Sequence, residues 1–313
     1  MERRDSWVGG IEAGGTKFVC AVGSGPSDVA QPQNRIEFPT GDNPARLMAD
    51  ITAWFREREQ LQQSLQAVGI ASFGPIDLDI ESPMYGHITS TPKPTWRNTD
   101  LVGMVRREFG DLPIGFDTDV NGGALGEYFW GSAKGLNDFV YITMGTGIGA
   151  GGMSGGRLLH GLVHPEMGHM RIPRLPGDDF PGNCPFHGDC WEGLCAGPAM
   201  LARTGTPASD LPSDHPAWLL EAQYMALALA NIVCVLSPRK IIIGGSLRKA
   251  GRLGEAAFFD LMHKQVRDNL NDYIVTPALQ SDAVREYIVP PLLGDDAGIC
   301  GAIALGQCAG AKD

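Results

Sequence analysis

The sequence has no surplus of positive charge. Among its 313 residues, 25 Lys and Arg face 36 Asp and Glu, a formal net charge of -11. A nucleic-acid partner needs a basic surface to neutralise phosphates, so none is expected. No run of like charges is long enough to act as an interaction tail. An apolar leader is missing too, because Gly9, Gly10 and Glu12 interrupt the stretch after the two arginines of "MERRDSWVGGIEAGG". The most apolar segment, "AWLLEAQYMALALANIVCVL" (217–236), carries Glu221, Gln223 and Asn231. It reads as the buried helix of a soluble core, and no membrane contact is expected. Nor do the cysteines form an even, regularly spaced set. Cys20, Cys184, Cys190, Cys195, Cys234, Cys300 and Cys308 read as reduced thiols of a cytoplasmic protein.

What remains is an ordinary globular composition, 43% apolar and 19% charged, with length enough for two domains. The chain opens with "WVGGIEAGGTKFVCAVG", where β-formers flank a tight glycine turn, and repeats the device in "DFVYITMGTGIGAGGM". Two such units predict a duplicated fold. Between them, the apolar spacing of Leu47, Ile51, Trp54 and Phe55 predicts a helix, with Asp42 or Asn43 as cap and Pro44 in its first turn. "LPIGFDTDVNGGALGEYFWG" reads as a strand to Phe116, an acidic turn, and a helix from about Val120. Alternating strands and helices make an α/β protein.

Both glycine turns run into strands, whereas the dinucleotide fingerprint needs a helix there. Ordinary hairpins account for either turn alone. Together, with Thr16, Lys17, Thr143 and Thr146 as donors, they fit loops that clamp a phosphate chain. Asp119, where a strand gives way to a helix, has two readings. It is a helix N-cap, as Thr118 also is, or a carboxylate that accepts a proton from an attacking hydroxyl. The stretch "CPFHGDCWE" (184–192) clusters two cysteines and a histidine, one donor short of a closed zinc site. Cys195 is a rival donor, and a Cys184–Cys190 disulfide is a further alternative.

Together these segments resemble a sugar kinase of the ROK family, named for repressors, open reading frames and kinases. "GIEAGGTKF" resembles the family's first phosphate loop, "DTDVNGGALGE" its catalytic segment, and "TMGTGIGAG" its second phosphate loop. "HPEMGHM" with "CPFHGDCWEG" resembles its zinc loop, and "IIIGGS" and "GDDAGICGAIALG" its nucleotide-side segments. "SFGPIDL", "YGHITSTPKPTW" and "CPFHGDCWEG" resemble the bacterial fructokinases within it. Glu12, Thr118 and the Cys-x-x-His spacing depart from the Asp, Asn and Cys-x-Cys usual in its glucokinases, and point to the same branch. Gly122 and Gly123 replace alanines, an expected loosening of that helix by about 1 kcal/mol each.

The resemblance implies an α/β fold of the two-domain actin/hexokinase-like (ribonuclease H-like) type with an interdomain cleft. The expected N-terminal domain is 1–117, joined by the C-terminal helix (about 297–313). The second domain is 118–296, with a zinc loop at 164–193. The implied reaction is ATP-dependent phosphorylation of a hexose, D-fructose at its 6-hydroxyl, with Asp119 as general base. Gly14, Gly15, Thr16 and Lys17, with Gly145, Thr146 and Gly147, would hold the phosphates of Mg·ATP. Gly244, Gly245 and Gly298 would lie near the adenosine. Thr118, Gly74, Pro75, Glu166, His169 and Glu192 would face the sugar. His169 supplies the fourth donor to Cys184, His187 and Cys190, a closed and therefore structural zinc site. A homodimer is implied as well. Only Met1 to Ser6 precede the first strand, so the DNA-binding domain of family repressors is not expected. The rival readings are a glucose, mannose or N-acetylhexosamine kinase, a catalytically silent sugar sensor, and an NAD-dependent dehydrogenase.

Overall fold

In the computed structural model, which describes residues 6–311, the first glycine turn forms the hairpin expected of it. Strands β1 (Val8–Ala13) and β2 (Lys17–Gly23) pair antiparallel, with Ala13 opposite Phe18. The one-turn helix α1 (Pro26–Val29) leads to β3 (Arg35–Pro39), which completes the antiparallel edge. Helix α2 (Pro44–Leu61) is capped by Asn43, whose side chain accepts from Arg46 N–H at 3.0 Å. It buries Leu47, Met48, Ile51 and Phe55. Next come β4 (Val68–Ser72), the short ribbon β5 (His87–Ile88) and β6 (Thr99–Asp100), α3 (Leu101–Phe109), β7 (Ile114–Thr118) and α4 (Asp119–Trp130).

The second half opens with β8 (Phe139–Met144), β9 (Ile148–Ser154) and β10 (Arg157–Leu158). Helices α5 (Trp191–Cys195), α6 (Gly197–Thr204) and α7 (Ala217–Leu236) precede β11 (Ile241–Gly244). Then α8 (Glu255–Leu270), α9 (Val284–Tyr287), β12 (Ile288–Val289) and α10 (Ala297–Ala309) close the chain. The two large sheets run β3-β2-β1-β4-β7 and β10-β9-β8-β11-β12. Both have one pattern, an antiparallel hairpin edge followed by parallel strands, as expected of a duplicated fold.

The residues divide into two units: Met1–Asn137 with Gly151–Pro165 and Leu292–Asp313, and Asp138–Ala150 with Glu166–Pro291. This partition differs from a sequence division after residue 117, because α4 packs with the first unit. A side chain at Gly122 would fall 2.6 Å from Ala71 Cβ, and one at Gly301 would fall 1.8 Å from Gly122 O. Helices α4 and α10 therefore cross with their backbones in contact. Gly301 serves this close approach, while Gly122 lets α4 sit against Ala71 of β4, a contact that offsets its low helix propensity.

Helix α7 is long and apolar enough to pass for a membrane span by hydropathy. Trp218, Tyr224, Met225 and Leu229 are nevertheless buried in the core of the second unit, and Glu221 is only 3% exposed.

Candidate active site

Three parallel strands of the first unit end in one row. Ala13 of β1 pairs with Ser72 of β4, and Ser72 with Thr118 of β7. The loops that follow thus leave from the carboxyl edge of the sheet, where α/β proteins bind ligands. They carry Gly14–Lys17, Gly74 and Pro75, and Asp119. Phe73 N–H donates to Ala13 O at 2.8 Å, fastening the second loop to the first. Gly14 N–H donates to Lys17 O at 3.0 Å, and Thr40 Oγ1 donates to Gly14 O at 2.7 Å. Lys17 Nζ pairs with Glu37 at 2.6 Å. Both partners are exposed, so this pair holds the lysine weakly and leaves it exchangeable.

Strand β7 runs to Thr118, two residues beyond the expected end, because Thr118 keeps an extended backbone while capping the helix. Its Oγ1 accepts from Asn121 N–H at 3.1 Å. Capping therefore falls to Thr118, and Asp119 occupies the first helical position. Asp119 Oδ1 accepts from Val120 N–H at 2.9 Å. Burial pushes its carboxyl up to about 6, against the lowering effect of that hydrogen bond.

Sequence reasoning noted Glu12 only as a departure and gave it no role. A side chain at Gly298, near the start of α10, would fall 2.1 Å from Glu12 Oε1. Glu12 is pushed up to about 7, first by burial and then by the negative charge of Asp119, with Lys17 and Arg35 opposing. Glu12, Asp119 and Gly298 thus share one neighbourhood. Lys93 was also passed over, although it lies in the quoted "STPKPTW". Its Cε is 3.6 Å from where a Cβ on Gly15 would stand. Trp96 anchors this turn by donating Nε1–H to Gly41 O at 2.9 Å and stacking near Phe18 and Phe73.

In the second unit, Gly244 of β11 pairs with Thr143 of β8. The turns Gly145–Gly147 and Gly245–Ser246 therefore leave side by side, with Ser246 Oγ 3.5 Å from a Cβ built on Gly145. The first turn is closed by Gly145 N–H donating to Gly147 O at 2.9 Å. Thr146 is exposed at its tip. Glu192, expected to face a sugar, spends one oxygen on this loop: Oε2 accepts from Ile148 N–H at 2.9 Å. Gly168 lies so close to β9 that a Cβ there would fall 1.7 Å from Ile148 O. That contact seats the turn bearing Glu166 and His169. Glu166 is exposed, and its carbonyl accepts from His169 N–H at 3.0 Å.

The donors of His169, Cys184, His187 and Cys190 all lie within 4.8 Å of one another. The Nδ1 atoms of the two histidines are 3.3 Å apart. Cys184 Sγ is 3.7 Å from each of them, and Cys190 Sγ is 3.5 Å from His169 Nδ1. A tetrahedron with Zn–S of about 2.3 Å and Zn–N of about 2.05 Å has N–N edges of about 3.3 Å and S–N edges of about 3.6 Å. Two thiols and two imidazoles at these separations fit an ion of that size. Cys184 and Gly188 exchange backbone hydrogen bonds at 3.1 and 2.9 Å, folding the knuckle. With Nδ1 facing the cluster, His169 keeps Nε2 without a partner among the described residues. Cys195 stands outside the cluster, buried beside Glu221 and Arg203.

Twin α/β sheets of one topology, glycine turns at their carboxyl ends, and an acid at the start of a helix define the actin/hexokinase-like class. Solved structures agree in fold. A ROK hexokinase from Thermus thermophilus superposes with a TM-score of 0.74, 23% identity, and coverage of 98% of this chain and 100% of that one. A ROK family glucokinase from Streptomyces griseus, solved with glucose and AMPPNP, gives 0.69 at 23% identity, over 96% and 99% of the two chains. The chain belongs to the ROK family, whose model matches residues 8–308. Among its relatives, a putative fructokinase from Bacillus subtilis is 48% identical, covering 95% of this chain and 94% of that protein. A fructokinase from Pediococcus pentosaceus is 41% identical over 96% and 98%, and one from Zymomonas mobilis 39% over 99% of each.

Proposed function

We propose that this protein is a fructokinase, transferring the γ-phosphoryl group of Mg·ATP to the 6-hydroxyl of D-fructose. The observation that carries this reading is the placement of Asp119. It sits at the shared carboxyl edge of β1, β4 and β7, buried enough to be pushed up to about 6. A carboxylate of that basicity is still ionised at neutral pH and takes a proton more readily than an exposed aspartate does. Asp119 would accept the hydroxyl proton as the sugar oxygen attacks phosphorus. The rest of the task is positioning and charge neutralisation. The N–H groups of Gly14–Lys17 and of Gly145–Gly147 suit the phosphate chain, and Lys17 and Lys93 add positive charge beside the first loop. Magnesium bound with ATP would supply charge to shield the phosphate oxygens. Gly244, Gly245 and Gly298 are assigned to the adenosine side.

Gly74, Pro75, Thr118, Glu166, His169 and Glu192 are proposed to surround the sugar. His169 would offer Nε2 and Glu192 its second oxygen, in charge-assisted bonds whose direction selects one hydroxyl arrangement. The metal held by His169, Cys184, His187 and Cys190 is proposed to be zinc. Four protein donors leave it no open position, so its contribution is to fold the loop. The reading includes a homodimer working in the cytoplasm. That none of the seven cysteines is joined in a disulfide is in keeping with a reducing compartment. The proposed domains follow the division named from the sequence, 1–117 with the C-terminal helix and 118–296, with two changes: α4 and residues 151–165 join the first.

The test is ADP release from Mg·ATP with fructose, mannose, glucose, N-acetylglucosamine and N-acetylmannosamine. A kcat/KM highest for fructose is expected. A higher value for another sugar rejects the substrate, and no turnover from a metal-loaded, folded sample rejects the enzyme in favour of a sugar sensor.

A further inference from the structure

Asp119 lies in the middle of a ring of five residues closed by a side-chain hydrogen bond. Asn121 donates Nδ2–H to Asp117 Oδ1 at 2.9 Å, and Thr118 N–H donates to the same oxygen at 2.8 Å. The Thr118 cap on Asn121 N–H tightens the ring from inside. Asp117 is 3% exposed, so its other oxygen also needs a donor. His160 supplies it: Nε2 stands 2.8 Å from Asp117 Oδ2. The Asp117 carboxylate in turn raises the imidazole above its ordinary value, which makes the bond charge-assisted.

His160 reaches Asp117 from a separate stretch of chain, just beyond β10. That stretch is tied back to the ring, because Gly152 N–H donates to Asn121 Oδ1 at 3.1 Å and Leu159 N–H donates to Gly152 O at 2.9 Å. We infer that His160 is a positioning residue for the proposed base. It fixes the carboxylate plane of Asp117, so that Oδ1 keeps both Thr118 N–H and Asn121, and the ring presents Asp119 at one angle. Three features support this over simple packing. The bond is short and made to a buried charge. The imidazole itself is exposed, with a side-chain exposure of 44%, and contributes little to the core. The carboxylate it holds is two residues from Asp119.

The inference rests on Asp119 being the base, and its test separates the two. In steady-state kinetics with Mg·ATP and fructose, His160→Ala should lower kcat roughly tenfold to a hundredfold, the effect of a displaced catalytic group. KM for ATP should stay within about twofold. His160→Gln, whose amide nitrogen replaces Nε2, should recover kcat to within about threefold of the parent. His160→Asn, whose nitrogen falls short of Asp117, should not recover. In an Asp119→Asn background, His160→Ala should cost nothing further. A parental kcat in His160→Ala, with Asp119→Asn inactive, overturns the inference and leaves the base standing. So does an equal additional loss in the Asp119→Asn background. Activity of Asp119→Asn within tenfold of the parent removes the base itself. Should His160→Ala fail to fold, the Gln and Asn variants decide the matter, and equal kcat in the two overturns the inference.

Discussion

The two sheets share a strand order but are put to different uses. In the first, β1, β4 and β7 end in line, with Glu12 near the end of β1, and are followed by the Gly14–Lys17 turn, a cis Gly74–Pro75 turn and Asp119. In the second, β8 and β11 end beside glycine turns that carry no acid, and the ionisable groups come instead from the knuckle and α5. The helices differ as well. Small residues let α4 and α10 touch backbone to backbone. In the second unit, Trp218 and Phe258 on α7 and α8 meet edge to face, with ring centroids 6.1 Å apart. The lesson is that one topology supplies two loop-bearing edges, and the side chains placed on them give each edge its own chemical character.

Removing the acid from the first edge should have the largest effect. Asp119→Asn should lower kcat by on the order of 10²–10⁴, while fold and metal content stay intact. In the parent, kcat/KM should fall as pH drops through about 6, the value to which burial raises Asp119. Stability carries the opposite sign. A carboxyl raised in the native state stabilises it fully below the unfolded value and loses that contribution as pH rises through about 6. Melting scans at pH 5 and pH 8 should therefore show Asp119→Asn gaining on the parent at both, and by on the order of 1–1.5 kcal/mol more at the higher pH.

Breaking the second edge should cost less in chemistry and more in structure. Cys190→Ser is expected to bind less than about half an equivalent of metal by elemental analysis, and to lose roughly tenfold or more in kcat/KM for fructose. Full activity without metal would remove the knuckle from the site. Lys93→Met sharpens the first edge: it should raise KM for ATP or lower kcat about tenfold, recovered in part by Lys93→Arg. Gly122→Ala tests the packing of α4 on β4. Helix propensity favours the change by about 1 kcal/mol, yet the methyl would meet Ala71, so a net loss of about 1–3 kcal/mol is expected in denaturant melts.

The parts of the fold carried by local signals were legible in the sequence. Asn43 and Pro44 announce α2, and the glycine turns announce both hairpins, because capping and turn formation depend on neighbouring residues alone. Three of the candidate metal donors were legible in "CPFHGDCWE", but His169 only through the resemblance, since it lies fifteen positions before Cys184 and nothing local joins them. The reason for Gly122 was not legible, because it lies in Ala71 of β4, far along the chain. Glu12, Lys93 and His160 were missed for the same cause. Each is an ordinary polar residue in its own segment, and gains a role only when a distant Gly298, Gly15 or Asp117 folds against it.

One hydrogen bond has a physiological reach. Cys190 is the residue from which α5 starts, and Glu192, two residues on, grips Ile148 N–H at the root of the second glycine loop. Under the proposed function, the ion that shapes the knuckle also sets the posture of the loop assigned to the nucleotide. Newly made chains would reach competence only as fast as zinc is delivered to them.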